Sequence, residues 1–204
     1  MLLPGLVARA AALASGGRAL LGLTGPPGAG KSSLGAELVA ALGPERAVLV
    51  PMDGFHLADA ELARLGRADR KGAPDTFDAA GYVHLLRRLV ERSGDVVYAP
   101  LFDRERELAE AGALPVPDDV PLVVTEGNYL LLDGPYRPIR DLLAECWYLD
   151  LDPVVRRERL VARHVAHGRS PAAAEAWVRT TDEPNALLIE PTRDLADLVV
   201  RLDP

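Results

Sequence analysis

The chain of 204 residues has little cysteine, little lysine and no excess of positive charge. Its single cysteine, Cys146, excludes an internal disulfide, and the surrounding AECWYLDL reads as a buried strand of the kind in which a free thiol packs; this predicts a reducing, cytoplasmic setting. A net charge of -7 gives an overall field that repels polyanions, which argues against a nucleic acid or an anionic membrane surface as partner. Any phosphate must then be held by local groups. No stretch approaches the roughly 18 uninterrupted apolar residues of a membrane span. The apolar N-terminus has no basic residue before it and is broken by Pro4 and Arg9, so Leu2, Leu3, Leu6, Ala10 and Leu13 predict an amphipathic first helix and not an export signal. Among 23 Lys plus Arg only Lys31 and Lys71 are lysines, which marks both as positions where an ammonium is wanted, although Lys71 reads equally as a chance survivor on the surface.

What is present is enough apolar residue, 49%, for one sizeable core, and the length fits a single domain over 1–204. Short Leu/Val runs at 19–25, 47–51, 121–127, 146–151 and 197–202 lack strict alternation, as strands buried on both faces do. Between them, apolar spacing predicts helices at 31–42, 78–92, 153–167 and 171–180. That alternation predicts an α/β fold, a parallel sheet flanked by helices with ligands beyond the carboxyl ends of its strands. The polar, Gly- and Pro-punctuated stretches 64–76 and 103–119 read as loops or short helices over one edge of the sheet. Loops this long are usually functional.

The sequence Gly25-Pro26-Pro27-Gly28-Ala29-Gly30-Lys31-Ser32 satisfies G-x-x-x-x-G-K-[ST], after a predicted strand and at the start of a predicted helix. Its glycines let successive backbone N–H groups turn inward around phosphates, and the helix adds its positive end. The motif predicts a P-loop from Gly25 to Ser33 that binds ATP, with Lys31 on the outer phosphates and Ser32 on magnesium. The only asparagines, Asn128 and Asn185, precede Tyr and Ala, so the Asn-Lys-x-Asp sequence of a Ras-like guanine site is missing. A small-molecule kinase is the leading reading. The rival is a non-catalytic ATP-binding regulator, which would need no base.

Asp53 closes the run AVLVPMD and is therefore predicted at a strand end beside the phosphate loop, placed to accept the proton of an acceptor hydroxyl. His56, nearby, suits a packing role as well as a substrate contact. Glu126 ends PLVVTEG, the position of a carboxylate that holds magnesium or its water together with Ser32. Arg156, Arg159 and Arg163 fall on one helix face, with Arg169 just beyond Gly168, and predict a lid over about 156–170 that closes on the transferring phosphate; a solvated helix face is the bland alternative. His56, Arg70, Lys71, Asp103, Arg104 and Asp182, on polar segments near the predicted strand ends, are the candidates for acceptor recognition.

Taken together, PMDGFHL, RKGAPDTFD, VTEGNYLLL and TDEPNALLIEPTRDLADLVV resemble the signatures of the uridine kinase, phosphoribulokinase and type I pantothenate kinase superfamily. The segments EGNYLLLD and YAPLFDRE look most like its compact bacterial members, often labelled nucleoside or fructose-transport kinases. The resemblance implies a nucleoside monophosphate kinase-like P-loop fold, ATP with magnesium, and transfer to an alcohol such as a sugar, a nucleoside or a vitamin precursor. Asp53 matches the strand-end Asp that serves as the base proposed for these enzymes, and Asp182 stands where pantothenate kinases carry an asparagine.

Overall fold

The computed structural model describes residues 4–202. The first helix, α1 (Pro4–Leu13), buries Leu6 and Ala10 as the spacing predicts, whereas Leu2 and Leu3 lie outside the described residues. Five strands form one sheet: β1 (Ala19–Thr24), β2 (Ala47–Pro51), β5 (Leu122–Glu126), β6 (Glu145–Asp150) and β7 (Leu198–Arg201). Their order is β2-β5-β1-β6-β7 and every pairing is parallel. All six residues of β1 and all five of β5 are buried, which is why those runs show no alternation.

Successive side chains leave a strand on opposite faces, and each face has its own core. On one side Leu21, Leu23 and Val124 pack with Leu34 and Leu38 of α2 (Lys31–Leu42) and with α1. On the other, Leu20 and Val123 pack with Tyr82, Leu86 and Leu89 of α4 (Ala79–Glu91). Helix starts follow the side-chain chemistry. Asp78 caps α4 by accepting from Gly81 N at 2.8 Å, and Asp152 caps α5 (Pro153–Ala166), where Pro153 loses no needed donor. A shorter helix, α3 (Asp59–Arg64), precedes turns at Ala68–Arg70 and Pro74–Thr76, in keeping with the reading of 64–76.

Two expectations are corrected. Residues 103–119 are mostly strand, with turns only at 104–107 and 117–119; β3 (Val97–Asp103) and β4 (Leu108–Val116) form a separate antiparallel two-stranded sheet. Pro100, Gly112 and Pro115 disguise these strands, and they are tolerated because each strand pairs only with the other, so a missing donor can face outward. The helix predicted over 171–180 divides into α6 (Pro171–Trp177) and a π-helical stretch, Val178–Asp182, that runs into α7 (Glu183–Ile189). Among the described residues, no helix is long and apolar enough to cross a membrane.

Candidate active site

The loop between β1 and α2 curls because its glycines allow it. Gly28 has φ 81°, and a Cβ there would lie 2.8 Å from Leu160 Cγ and 3.0 Å from Arg156 O, both on α5. The helix therefore rests directly on the loop. Lys31, at the first position of α2, is buried and donates from Nζ to Gly25 O at 2.9 Å and Pro26 O at 3.0 Å. Burial lowers its pKa to about 8, even though Glu126 and Asp53 pull the other way.

Strand register sets the carboxylates beside this loop. Glu126, the last residue of β5, is level with Leu23 of β1 and Pro51 of β2. It accepts a hydrogen bond at Oε1 from Ser32 Oγ at 2.9 Å. Its own burial, and next the Asp53 charge, push its carboxyl above the usual range, against the pull of Lys31 and Ser32. Asp53 lies two residues beyond β2, in the turn Met52–Phe55. The next residue has to be glycine: a Cβ on Gly54 would collide with the carbonyl of Pro100, which brings β3 against the turn. From the tip of that hairpin Arg104 Nη2 donates to Asp53 Oδ2 at 2.8 Å. His56 shares a hydrogen bond at Nδ1 with Asp53 O at 2.8 Å, and its ring packs on Phe77 and Phe102 with centroids 4.0 and 4.7 Å away. Desolvation lowers its pKa, so the imidazole is neutral near pH 7.

The arginines of α5 divide. Arg156 is 4% exposed, donates to Pro27 O at 3.2 Å and pairs with Glu183, so it staples the helix to the loop. Arg159 and Arg163 instead line a recess of about 460 Å³ with Gly28, Lys31, Ser32 and Arg104. Burial of Arg163, and next the charge of Arg104, lower its pKa; a guanidinium stays cationic regardless. Arg169 lies over the Trp177 ring at 3.8 Å. One residue after Arg163, His164 Nε2 meets Asp182 Oδ2 at 2.8 Å, with Asp182 only 7% exposed. Arg163, His164, Arg169 and Asp182 border a larger cavity of about 780 Å³ that opens from Lys31, Ser32, Asp53 and Glu126 toward Asn185.

The model of the Phosphoribulokinase / Uridine kinase family matches residues 20–204. The chain belongs to this family. It is 36% identical over 192 residues to the uncharacterised protein YggC of Escherichia coli, across 91% of this chain and 78% of that one. It is 34% identical over 204 residues to a Schizosaccharomyces pombe protein provisionally named a uridine kinase, across 90% and 83% of the two chains. A Silicibacter structure provisionally named a fructose transport system kinase superposes with a TM-score of 0.83 at 39% identity, covering 94% of this chain and 98% of that one. The protein is thus a nucleotide-using P-loop kinase that phosphorylates alcohol groups.

In this kinase the cavity brings together most of the residues singled out from the sequence. Lys31, Ser32, Asp53, Glu126, Arg163 and Arg169 border it, as do the acceptor candidates His56, Lys71, Arg104 and Asp182. Arg70 and Asp103 do not. Arg70 pairs with Asp75 at 2.8 Å, and Asp103 Oδ1 accepts from the backbone N of Glu105 at 2.8 Å and of Arg106 at 3.0 Å, shaping the hairpin turn. Sequence reasoning missed His164, Asn128 and Asn185 as cavity residues. The two asparagines did carry a signal, since they are the only ones in the chain and both face the same cavity. His164 carried none apart from its place beside Arg163.

Among the described residues no group of three or more His, Cys, Asp or Glu is gathered as a metal cage. A phosphate-bound magnesium needs no such cage, because it keeps several waters and takes only one or two protein oxygens. The Ser32 hydroxyl and the Glu126 carboxylate, 2.9 Å apart, are hard oxygen donors of that type.

Proposed function

We propose that this kinase transfers the γ-phosphate of ATP to a hydroxyl of a polar metabolite: a sugar, a nucleoside or a pantothenate-like alcohol. The observation that carries the reading is the convergence of Lys31, Glu126 and Asp53 on one cavity, with about 780 Å³ beyond them to take an acceptor. Residues 1–204 act as one catalytic unit. The loop Gly25–Ser33 cradles the phosphates through backbone N–H groups, and Lys31 neutralises their outer charge. Ser32 and Glu126 would hold magnesium, which when bound offsets charge on the phosphate oxygens. Asp53 takes the acceptor's proton as the acceptor oxygen bonds to the γ-phosphorus; the bond to the bridging oxygen breaks and ADP leaves. Arg163 and Arg169, in a lid over about 156–170, approach the charge that builds on the transferring group.

The lining favours a polar acceptor. Lys71, Asp182, Asn128 and Asn185 offer charge and hydrogen bonds, while Phe77 and Phe102 offer an apolar wall against which a ring can lie. The names of the relatives support a nucleoside or a sugar. The buried, unpaired thiol of Cys146 fits a reducing cytoplasm.

Asp53→Asn tests the base. The variant keeps size and much of the hydrogen bonding, so calorimetric ATP binding should stay near wild type, while acceptor phosphorylation falls by about a hundred- to ten-thousandfold. Joint loss of ATP binding and turnover would make Asp53 a metal or structural ligand instead.

A further inference from the structure

The tip of the β3–β4 hairpin enters the site through one side chain. Arg104 borders both the recess at the phosphate loop and the larger acceptor cavity, so it stands where the two compartments meet. Its guanidinium occupies Asp53 Oδ2 at 2.8 Å, on the carboxylate read above as the base. The guanidinium holds Oδ2, so an acceptor hydroxyl that uses this oxygen has to displace it. The tip is held in place by more than this pair. Lys71 Nζ clamps it by donating to Glu107 O at 2.8 Å and to Asp59 Oδ1 at 2.7 Å. Glu107 adopts a left-handed φ of 54°, and the Asp103 carboxylate caps the turn before it. The Arg104 and Asp53 side chains are 45% and 28% exposed, and an ion pair that open to water is weak and parts readily.

We propose that Arg104 is a positioning residue that guards Asp53: it keeps the carboxylate from activating water and yields when an acceptor hydroxyl enters. The reaction it suppresses is hydrolysis of ATP. There a water oxygen bonds to the γ-phosphorus, the bond to the bridging oxygen breaks, ADP leaves, and the water's proton passes to Asp53. A cavity of this size holds water whenever no acceptor fills it, so a kinase with an unguarded base would release ADP without product. The guard rests on the reading of Asp53 as base. It adds a function for Arg104 that recognition of the acceptor does not require.

The test measures ADP release by wild type, Arg104→Ala, Arg104→Gln, Arg104→Lys and Asp53→Asn/Arg104→Ala, with ATP and magnesium and no acceptor. Thermal melting is followed on the same preparations. Acceptor-free release should rise about tenfold or more in Arg104→Ala and Arg104→Gln, within the hundredfold or greater factor a positioned base can supply. It should return near the wild-type level in Arg104→Lys, and to that level or lower in the double variant. A structural role for Arg104 would only lower activity. Unchanged or reduced release in whichever of the Ala and Gln variants melts like wild type overturns the guard, as does a rise that survives loss of the Asp53 carboxylate. If Asp53→Asn abolishes acceptor phosphorylation while the Arg104 variants release no extra ADP, the guard alone falls. If Asp53→Asn keeps full phosphorylation, the base assignment falls and the guard with it.

Discussion

Lys31 is a buried ammonium whose protein partners are backbone carbonyls, with its pKa lowered to about 8 by desolvation. The native state therefore binds its proton less tightly than the unfolded chain, where a lysine titrates near 10.5. Between those values the unfolded chain carries the extra proton, so this group's contribution to stability rises as pH climbs from about 8, with the nucleotide site empty. Phosphates reverse the preference by stabilising the charged form. Nucleotide binding near pH 8.5 should then take up a fraction of a proton, seen as a binding enthalpy that varies with the ionisation heat of the buffer. Lys31→Met should show no such dependence; a buffer-independent enthalpy in the wild type would contradict the lowered pKa. At this scale the sequence was most legible where a position follows from covalent spacing, as in Gly25–Ser33, or from the end of an apolar run, as at Asp53 and Glu126. It was least legible inside irregular segments. Arg70 and Lys71 are adjacent, yet Lys71 borders the cavity and Arg70 turns to Asp75, because no periodicity sets side-chain direction in a loop.

Among the elements, the two halves of α5 differ in their contacts. Its first turns are fixed by Arg156 to Pro27 and Glu183, whereas Arg163 makes no ion pair among the described residues. A group free to close on the transferring phosphate acts mainly in the transition state. Arg163→Ala should accordingly lower turnover by about a hundredfold while ATP affinity changes by only a few-fold. Arg169→Ala should shift the same balance in the same direction. Steady-state turnover paired with calorimetric ATP affinity decides, and full turnover in both variants would make this a solvated helix face. The five sheet strands were readable because burial on both faces makes them continuous apolar runs. The β3–β4 hairpin was not, since each strand has one partner and can carry the prolines that usually mark a loop. The π-helical stretch before α7 was equally hidden. It widens the helical turn by one residue, and Asp182 at its end is buried against His164.

For the whole molecule, a net charge of -7 has to be reconciled with a polyanionic substrate. The parallel sheet does this by bringing the carboxyl ends of β1, β2 and β5 to one end of the sheet, where Lys31, Arg159 and Arg163 are concentrated. The cations placed to meet phosphate are local, and the rest of the surface can remain acidic. The same topology explains why the acceptor could not be read from sequence. Its cavity is assembled from residues 27–32, 53–77, 102–107, 126–128 and 163–185, and which side chains face one another depends on how those segments pack. The direct measurement is coupled ADP release across hexoses, nucleosides, ribulose 5-phosphate and pantothenate, each against an acceptor-free control, with wild type and Lys31→Ala compared at equal thermal stability. Strong acceptor-dependent turnover with at least one polar alcohol is expected in the wild type, and none in a folded Lys31→Ala. Wild-type turnover in Lys31→Ala would contradict it, and so would a wild type whose melting temperature rises with ATP while no acceptor is phosphorylated.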